Sequence, residues 1–417
     1  MHLSSIRSGL ALVAAGALFV ACSGNAPDSG FGQQGSSGDN GGGGGSGSSG
    51  TGGGSGGSGN GSGGGPGTFG SNSGGGSSSG GMSGDGGPIG PVDVSAPCDS
   101  GLAVDGDAFL FAKTIGICTS ALKDGYGIVS ATYQNAFGSS NPPAAGQWGL
   151  LPAFGSTIKP REGSMLGTIS SGFGREWDDA AGTNNGPMSD FVAGNPMDGM
   201  NYPTGSAPPG FPKAAQGCPQ DNKVNDLVDV KLVLKAPPDA SGFQFDFDFF
   251  SSEWPNYVCS NFNDAFIAYL TSSQTTDNIS FDSKHNPVAV NISFLDRCTP
   301  GVPVGCLRSN SPTSADPPLY TSMCGSGTQE LLGTGFGDTD MTQCDPSTTN
   351  NVTATLGAST GWLTTTAPIN PGEQFTLEFM IWDAGDGLLD SSVLIDHFQW
   401  LGGQGQVTTG TNPAPAQ

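Results

Sequence analysis

Apolar and polar residues alternate in several short stretches of the second half of the chain. The strictest is Phe243 to Phe249 (FQFDFDF), which puts Phe243, Phe245, Phe247 and Phe249 on one face and Gln244, Asp246 and Asp248 on the other. Leu227 to Leu234 (LVDVKLVL) alternates too, with Val228, Val230, Leu232 and Leu234 on one side. Ala265 to Leu270, Val288 to Leu295, Phe375 to Trp382 and Val393 to Trp400 read as further strands, separated by turns rich in Gly, Pro, Asn and Asp. Asp107 to Ile115 (DAFLFAKTI), with its acidic start, is the one segment with a helical signature. The fold predicted is all-β, a mainly antiparallel β-sandwich of jelly-roll-like type with one or two short helices.

The first ninety residues show neither periodicity. Most of the 72 glycines lie there, and from Ser23 to about Val92 the chain is Gly and Ser with scattered Asn and Pro. Such a tract cannot bury enough apolar surface to offset the entropy lost on ordering, so a disordered N-terminal region is predicted. About 70 residues of Gly-rich chain reach roughly 45 Å root-mean-square, enough to hold a domain off a membrane. Before it, Arg7 precedes the apolar run Leu10 to Val20, and Phe19-Val20-Ala21-Cys22 ends a small-residue cleavage site in cysteine. This arrangement resembles the lipobox of bacterial lipoproteins, and the resemblance implies that Cys22 carries a lipid. The expected organisation is a signal peptide at 1–21, a lipidated cysteine and linker at 22–96, a β-rich domain at 97–403 and a flexible tail at 404–417. Localisation follows as exported, in the bacterial envelope, at the outer membrane or cell surface, with the N-terminal lipid as the only membrane contact.

Charge narrows the partners. The net charge is −23, and before Pro91 only Asp28, Asp39, Asp85 and Arg7 are charged, so the acidity belongs to the β-rich part. An acidic surface repels phosphate backbones, which excludes nucleic acid and leaves cations and uncharged glycans or proteins as ligands. Apart from Cys22, the cysteines form an even set, as expected of disulfides in an exported chain. Cys298–Cys306 and Cys324–Cys344 each close a short polar loop and are expected as local bridges. Cys98–Cys118 and Cys218–Cys259 then remain by elimination.

Catalytic chemistry finds little support. A Ser/His/Asp triad needs His285, in a polar turn, or His397, which follows Asp396 within a strand and so points to the opposite face from it. No catalytic residue is assigned. The alternative to a binding or adhesion module is a carbohydrate-active hydrolase using a carboxylate pair, for which Glu253 with Asp248 is the nomination. Of the tryptophans 148, 177, 254, 362, 382 and 400, most read as core, and Trp177, flanked by Glu176 and Asp178, reads as exposed. Calcium is the one cofactor expected. Asp383, Asp386 and Asp390 lie around two glycines that let the backbone turn sharply, and Asp246 with Asp248 is a second nomination.

Several of these residues together carry a family resemblance. Phe245-x-Phe247-x-Phe249-x-Ser251-x-Glu253-Trp254-Pro255, then Asn263-Asp264-x-Phe266, then Asp383-x-x-Asp386 with Asp390-Ser391, resembles the choice-of-anchor L domain of bacterial surface proteins. Ile115 to Tyr133 and Gly163 to Gly172 look like that family's N-terminal half. The cysteine-bearing stretch from Cys298 to Cys344 looks like an insertion relative to shorter members. The resemblance implies surface display and carries over no ligand and no catalytic residue.

Overall fold

The computed structural model describes residues 89–93, 96–175, 205–215, 218–254, 257, 260–290, 331, 333–336, 339–344, 351–387 and 389–415. In chain order the elements are β1 (Gly90–Pro91), α1 (Ala108–Thr114), α2 (Ala121–Asp124), β2 (Gly127–Gln134), β3 (Trp148–Leu151), β4 (Leu166–Ser170), β5 (Val224–Lys235), β6 (Ala240–Ser251), β7 (Ala265–Thr271) and β8 (Thr276–Asn278). They continue with β9 (Val288–Ala289), β10 (Thr339–Cys344), β11 (Asn351–Leu356), β12 (Ala358–Ser359), β13 (Leu363–Pro368), β14 (Gln374–Ala384), β15 (Ser391–Gly402) and β16 (Gly410–Pro413). The predicted strands over 227–234, 243–249, 265–270, 375–382 and 393–400 are all present. Of the strand predicted over Val288 to Leu295, only Val288–Ala289 is a strand, and the part from 291 lies outside the described residues.

Two antiparallel sheets face each other. One runs β16-β13-β6-β15-β4-β3, with β1 on β15 and β12 on β6; the other runs β2-β5-β14-β7-β8, with β9 on β7. Successive long strands change sheet: β4 to β5, β5 to β6, β6 to β7, and again β13 to β14 to β15. The central orders β4-β15-β6-β13 and β5-β14-β7-β8 are those of a jelly roll, as the sequence predicts.

The core follows from the period of two. Phe243, Phe245, Phe247 and Phe249 are all fully buried, and the first three meet rings of the opposite sheet. Phe243 stacks on Phe375 at 5.4 Å, Phe245 meets Phe379 edge-on at 5.0 Å, and Phe247 lies 5.1 Å from Phe266. Helix α1 starts where expected, because the Asp107 carboxylate caps the Leu110 N–H at 2.9 Å. It lies hard against β4: a Cβ on Gly167 would sit 2.6 Å from the Phe111 ring, so only glycine permits the approach.

The face of β6 that carries Asp246 and Asp248 is covered as well: the two are 1% and 0% exposed. A second apolar cluster, including Leu151, Phe154, Leu166, Phe173, Phe250 and Leu394, covers much of that face. Part of the tail expected to be flexible after Gly403 is paired with the sheet. There β16 pairs with β13, Val407 is buried, and Ala414 N–H donates to the Trp362 carbonyl at 2.9 Å. Likewise the end of the expected linker joins the sheet, with Gly90 opposite Gly402.

Cys98 and Cys118 are bridged, with Cα atoms 5.7 Å apart. Cys218 is also disulfide-bonded, while Cys259, Cys298, Cys306 and Cys324 lie outside the described residues, and of Cys344 only the backbone is described. The Cys98–Cys118 bridge closes a loop of 20 residues around α1. Replacing both cysteines by serine is expected to lower stability by about 3 kcal/mol, through the freedom regained by the unfolded chain. Urea denaturation checks this, and an unchanged midpoint would contradict it.

Candidate functional site

At one end of the sandwich β6 runs out, β7 begins, β14 ends and β15 begins. Their end residues are the polar members of the sequence pattern: Ser251 at the end of β6 and Glu253 after it, Asn263 and Asp264 before β7, Asp383 next to last in β14, Asp390 just before β15 and Ser391 at its start. Over 130 residues of sequence separate the first from the last, and the sheet order brings them together. They are buried, with Glu253 3%, Asp264 0%, Asp383 2% and Asp390 1% exposed.

Hydrogen bonds tie most of them down. Asp264 accepts from Ser391 Oγ at 2.7 Å and from the Ala384 N–H at 3.2 Å, and its own N–H donates to Glu253 Oε2 at 3.3 Å. Ser391 N–H donates to Ser171 Oγ at 2.9 Å, and Ser170 Oγ donates to the Ser391 carbonyl at 2.9 Å. Gln147, fully buried, donates to the carbonyls of Ser171 and Asp226 at 2.9 and 3.0 Å. Asp383 is held more loosely, with the Ser171 and Asp264 side chains as its partners.

Burial without a counter-charge governs the electrostatics. Desolvation pushes the Asp264 carboxyl up to about 7 despite the donors it accepts from. Glu253 and Asp383 are held well above the usual carboxylate range, first by desolvation and then by neighbouring carboxylates, Asp264 above all. Asp226 is also pushed up to about 7 by burial, with Lys223 opposing. It was not nominated from sequence, although its backbone at φ +52° is a local irregularity for a non-glycine residue. Ser170 and Ser171 fall within the Gly163 to Gly172 stretch noted in the sequence, but nothing in their spacing from Asp383 announces the contact.

The calcium nominations divide. Asp383 and Asp390 share this site. Asp386 is half-buried and acts on Glu253 and Asp264 from the loop, where its carbonyl accepts from Asn225 Nδ2 at 2.7 Å. Asp246 and Asp248 go elsewhere: Asp248 accepts from Ser359 Oγ at 2.6 Å, and Asp246 pairs with Arg161 Nε at 3.0 Å and His397 Nδ1 at 2.9 Å. Among the described residues no group of three His, Cys, Asp or Glu side chains is arranged to hold a metal ion. In the motif, Phe245, Phe247, Phe249 and Trp254 are core, and Pro255 lies outside the described residues.

The hydrolase pair fares no better as a surface site. Glu253 and Asp248 are each buried, and two concavities, of about 130 and 60 Å³, are lined by neither. His285 sits in the expected turn, its N–H donating to the Asp282 carbonyl at 2.9 Å. His397 is a correction. A bulge in β15 between Asp396 and Gln399 places it at φ +54°, so it does not point away from Asp396 as plain alternation requires. Both join one network on the outer face of β6 and β15. Trp254, Trp382 and Trp400 are buried, Trp148 and Trp362 half-buried, and Trp177 lies outside the described residues.

No helix among the described residues is long and apolar enough to cross a membrane. No curated protein matches the chain, and no solved structure does. The model of the Choice-of-anchor L domain family matches residues 229–399. The match runs from within β5 to within β15 and takes in Glu253, Asp264, Asp383 and Asp390. The motif that prompted the resemblance is thus the pattern of a buried sandwich end, and over residues 229–399 the chain is similar to the Choice-of-anchor L domain, a family of surface-associated modules not known for enzymes.

Proposed function

We propose that this chain is an exported, lipid-anchored display module whose jelly-roll domain binds a surface ligand, glycan or protein, without catalysis. One observation carries the non-catalytic part: the carboxylates of the family pattern turn into the sandwich end and are buried, where a polymeric substrate cannot reach them. The sequence supplies the rest. Cys22 stands at the end of a lipobox-like signal, and the Gly/Ser tract that follows suits a tether. The lipid provides the membrane attachment, and the acidic domain is repelled by anionic headgroups and stands away from them.

Metabolic labelling with a clickable fatty acid tests the anchor. The wild-type chain is expected to take up label and to fractionate with membranes, and Cys22→Ala to do neither. Uptake by Cys22→Ala equal to wild type would refute the assignment. A glycan and polymer array probed with the full chain tests the binding role, and turnover of an arrayed glycan would replace it with a hydrolytic one.

A further inference from the structure

We propose that Lys231 and Glu378 join in an intramolecular amide that the folded chain makes by itself, with Asp229 as the acid that assists. The bond goes beyond the display reading and depends neither on a lipid at Cys22 nor on what the surface binds.

Lys231 of β5 and Glu378 of β14 are direct cross-strand partners, and Tyr269 of β7 is the next residue across the sheet. Lys231 Nζ lies 3.1 Å from Glu378 Oε1, with the side chains 31% and 2% exposed. Directly opposed residues keep their Cβ atoms about 5 Å apart, so the strand ladder itself holds the amine against the carboxyl. Asp229 precedes Lys231 by two positions and therefore shares its face. It is 0% exposed, and its carboxyl shares a hydrogen bond with that of Glu378. The setting is otherwise apolar. Met380 stands opposite Asp229, Ile267 opposite Met380, and both are fully buried. The Phe137 ring packs edge-on against Tyr269 at 5.6 Å.

A plain ion pair would be complete with Lys231 and Glu378. Asp229 adds a second carboxyl that burial keeps well above the usual carboxylate range, with Glu378 adding to the effect and Lys231 opposing it. Desolvation raises Glu378 too, against Lys231 and the hydrogen bond from Asp229. Asp229 thus holds the proton of the shared hydrogen bond and directs it at the Glu378 carboxyl. An acid aimed at a carboxyl that faces an amine is what amide formation requires.

The reaction balances within these three groups. The Lys231 ammonium passes a proton to the Glu378 carboxylate, an exchange that burial of the carboxyl favours. The Nζ lone pair then attacks Cδ while the Asp229 hydroxyl polarises its carbonyl. The C–N bond forms, one Nζ proton passes through Asp229 to the departing oxygen, and the C–O bond breaks with release of one water. Asp229 ends protonated, as it began. Held reactants reach effective molarities of about 10⁵ M or more, and the apolar surroundings keep out the water that would reverse the step.

Peptide mapping of the full chain, folded and purified in detergent, tests the bond. Trypsin is expected to leave the chain uncut after Lys231, and residues 224–235 to be recovered joined to the peptide that carries Glu378, at one water less than their summed mass. On a reducing denaturing gel the wild-type chain is expected to run ahead of Lys231→Arg and Glu378→Ala, which stay linear. Asp229→Asn, checked for folding by near-ultraviolet circular dichroism, is expected to be mostly unbridged. The wild-type map decides the bond whether or not the variants fold. Separate linear peptides ending at Lys231 and carrying Glu378 would overturn the inference. Water loss confined to residues 224–235 would overturn Glu378 as the partner, and an Asp229→Asn chain as fully bridged as wild type would overturn the part given to Asp229.

Discussion

Phe247→Ala is expected to destabilise the domain by about 3–5 kcal/mol, the range for emptying a phenylalanine site in a core that cannot collapse around it. Phe247 is fully buried in the middle of β6, with Leu363 and Ile395 as its neighbours across the sheet. Its ring lies 6.1 Å from Phe245 and 5.1 Å from Phe266 of the facing sheet. Two sheets held apart by many other rings cannot close over a single gap, which is why the upper half of the range applies. The fall in melting temperature should be about 10 °C or more for a domain of this size. Phe109→Ala, at a phenylalanine on α1 that is 44% exposed, should change stability by no more than about 0.5 kcal/mol. Equal losses for the two variants would show that the alternation in β6 does not set the core.

Arg161→Met is expected to cost about 3–5 kcal/mol, because it strips a buried carboxylate of its main counter-charge. Asp246 and Asp396 face each other as direct cross-strand partners, an arrangement that like charges oppose. Arg161 relieves it from both ends: its Nε pairs with Asp246, and its backbone N–H donates to Asp396 Oδ2 at 2.6 Å. The side chains are 9% and 2% exposed, so water does not screen the pair. The guanidinium also donates to the Pro415 carbonyl at 2.8 Å, so amide exchange across 410–415 should speed up in the variant.

His397 gives this loss a pH dependence of fixed sign. Its imidazole pKa is raised, chiefly by the hydrogen bond to Asp246, against desolvation that lowers it. A histidine with a raised pKa contributes stability fully present below its unfolded value of about 6.5, and lost as pH rises through the folded value. In Arg161→Met the protonated ring is the remaining charged partner of Asp246, beside the neutral Thr364 hydroxyl that donates to its Oδ1 at 2.5 Å, so the loss should be larger at pH 8.5 than at pH 5.5. Adding Asp246→Asn removes the stranded charge and should recover much of it. Equal losses at both pH values, or no recovery in the double variant, would contradict the assignment.

How far these features could be read in advance depends on the range of the interaction behind each. Strands β5, β6, β7, β14 and β15 were legible because their side chains alternate in size and polarity. Strand β13 was not, since LTTTAP offers threonines instead of large apolar residues. There Thr365 is buried and exchanges a hydrogen bond at 3.0 Å with Ser280, a partner 85 residues away. The bulge that turns His397 toward Asp246 has no local signal either.

The sheet-forming faces, the α1 cap, the acidic character, the Gly/Ser tract and the family pattern are all matters of local period, composition or spacing, and so were readable from the chain. Which carboxylates meet a counter-charge depended on the packing of distant strands. Asp246 and Asp383 look alike in sequence, each an acid in an aromatic strand. The jelly-roll order brings Arg161 and His397 to the first, and to the second brings Asp264, Asp390 and Asp226. Burial multiplies the consequence, since a charge out of water depends almost entirely on its nearest neighbours, and those neighbours come from distant parts of the chain.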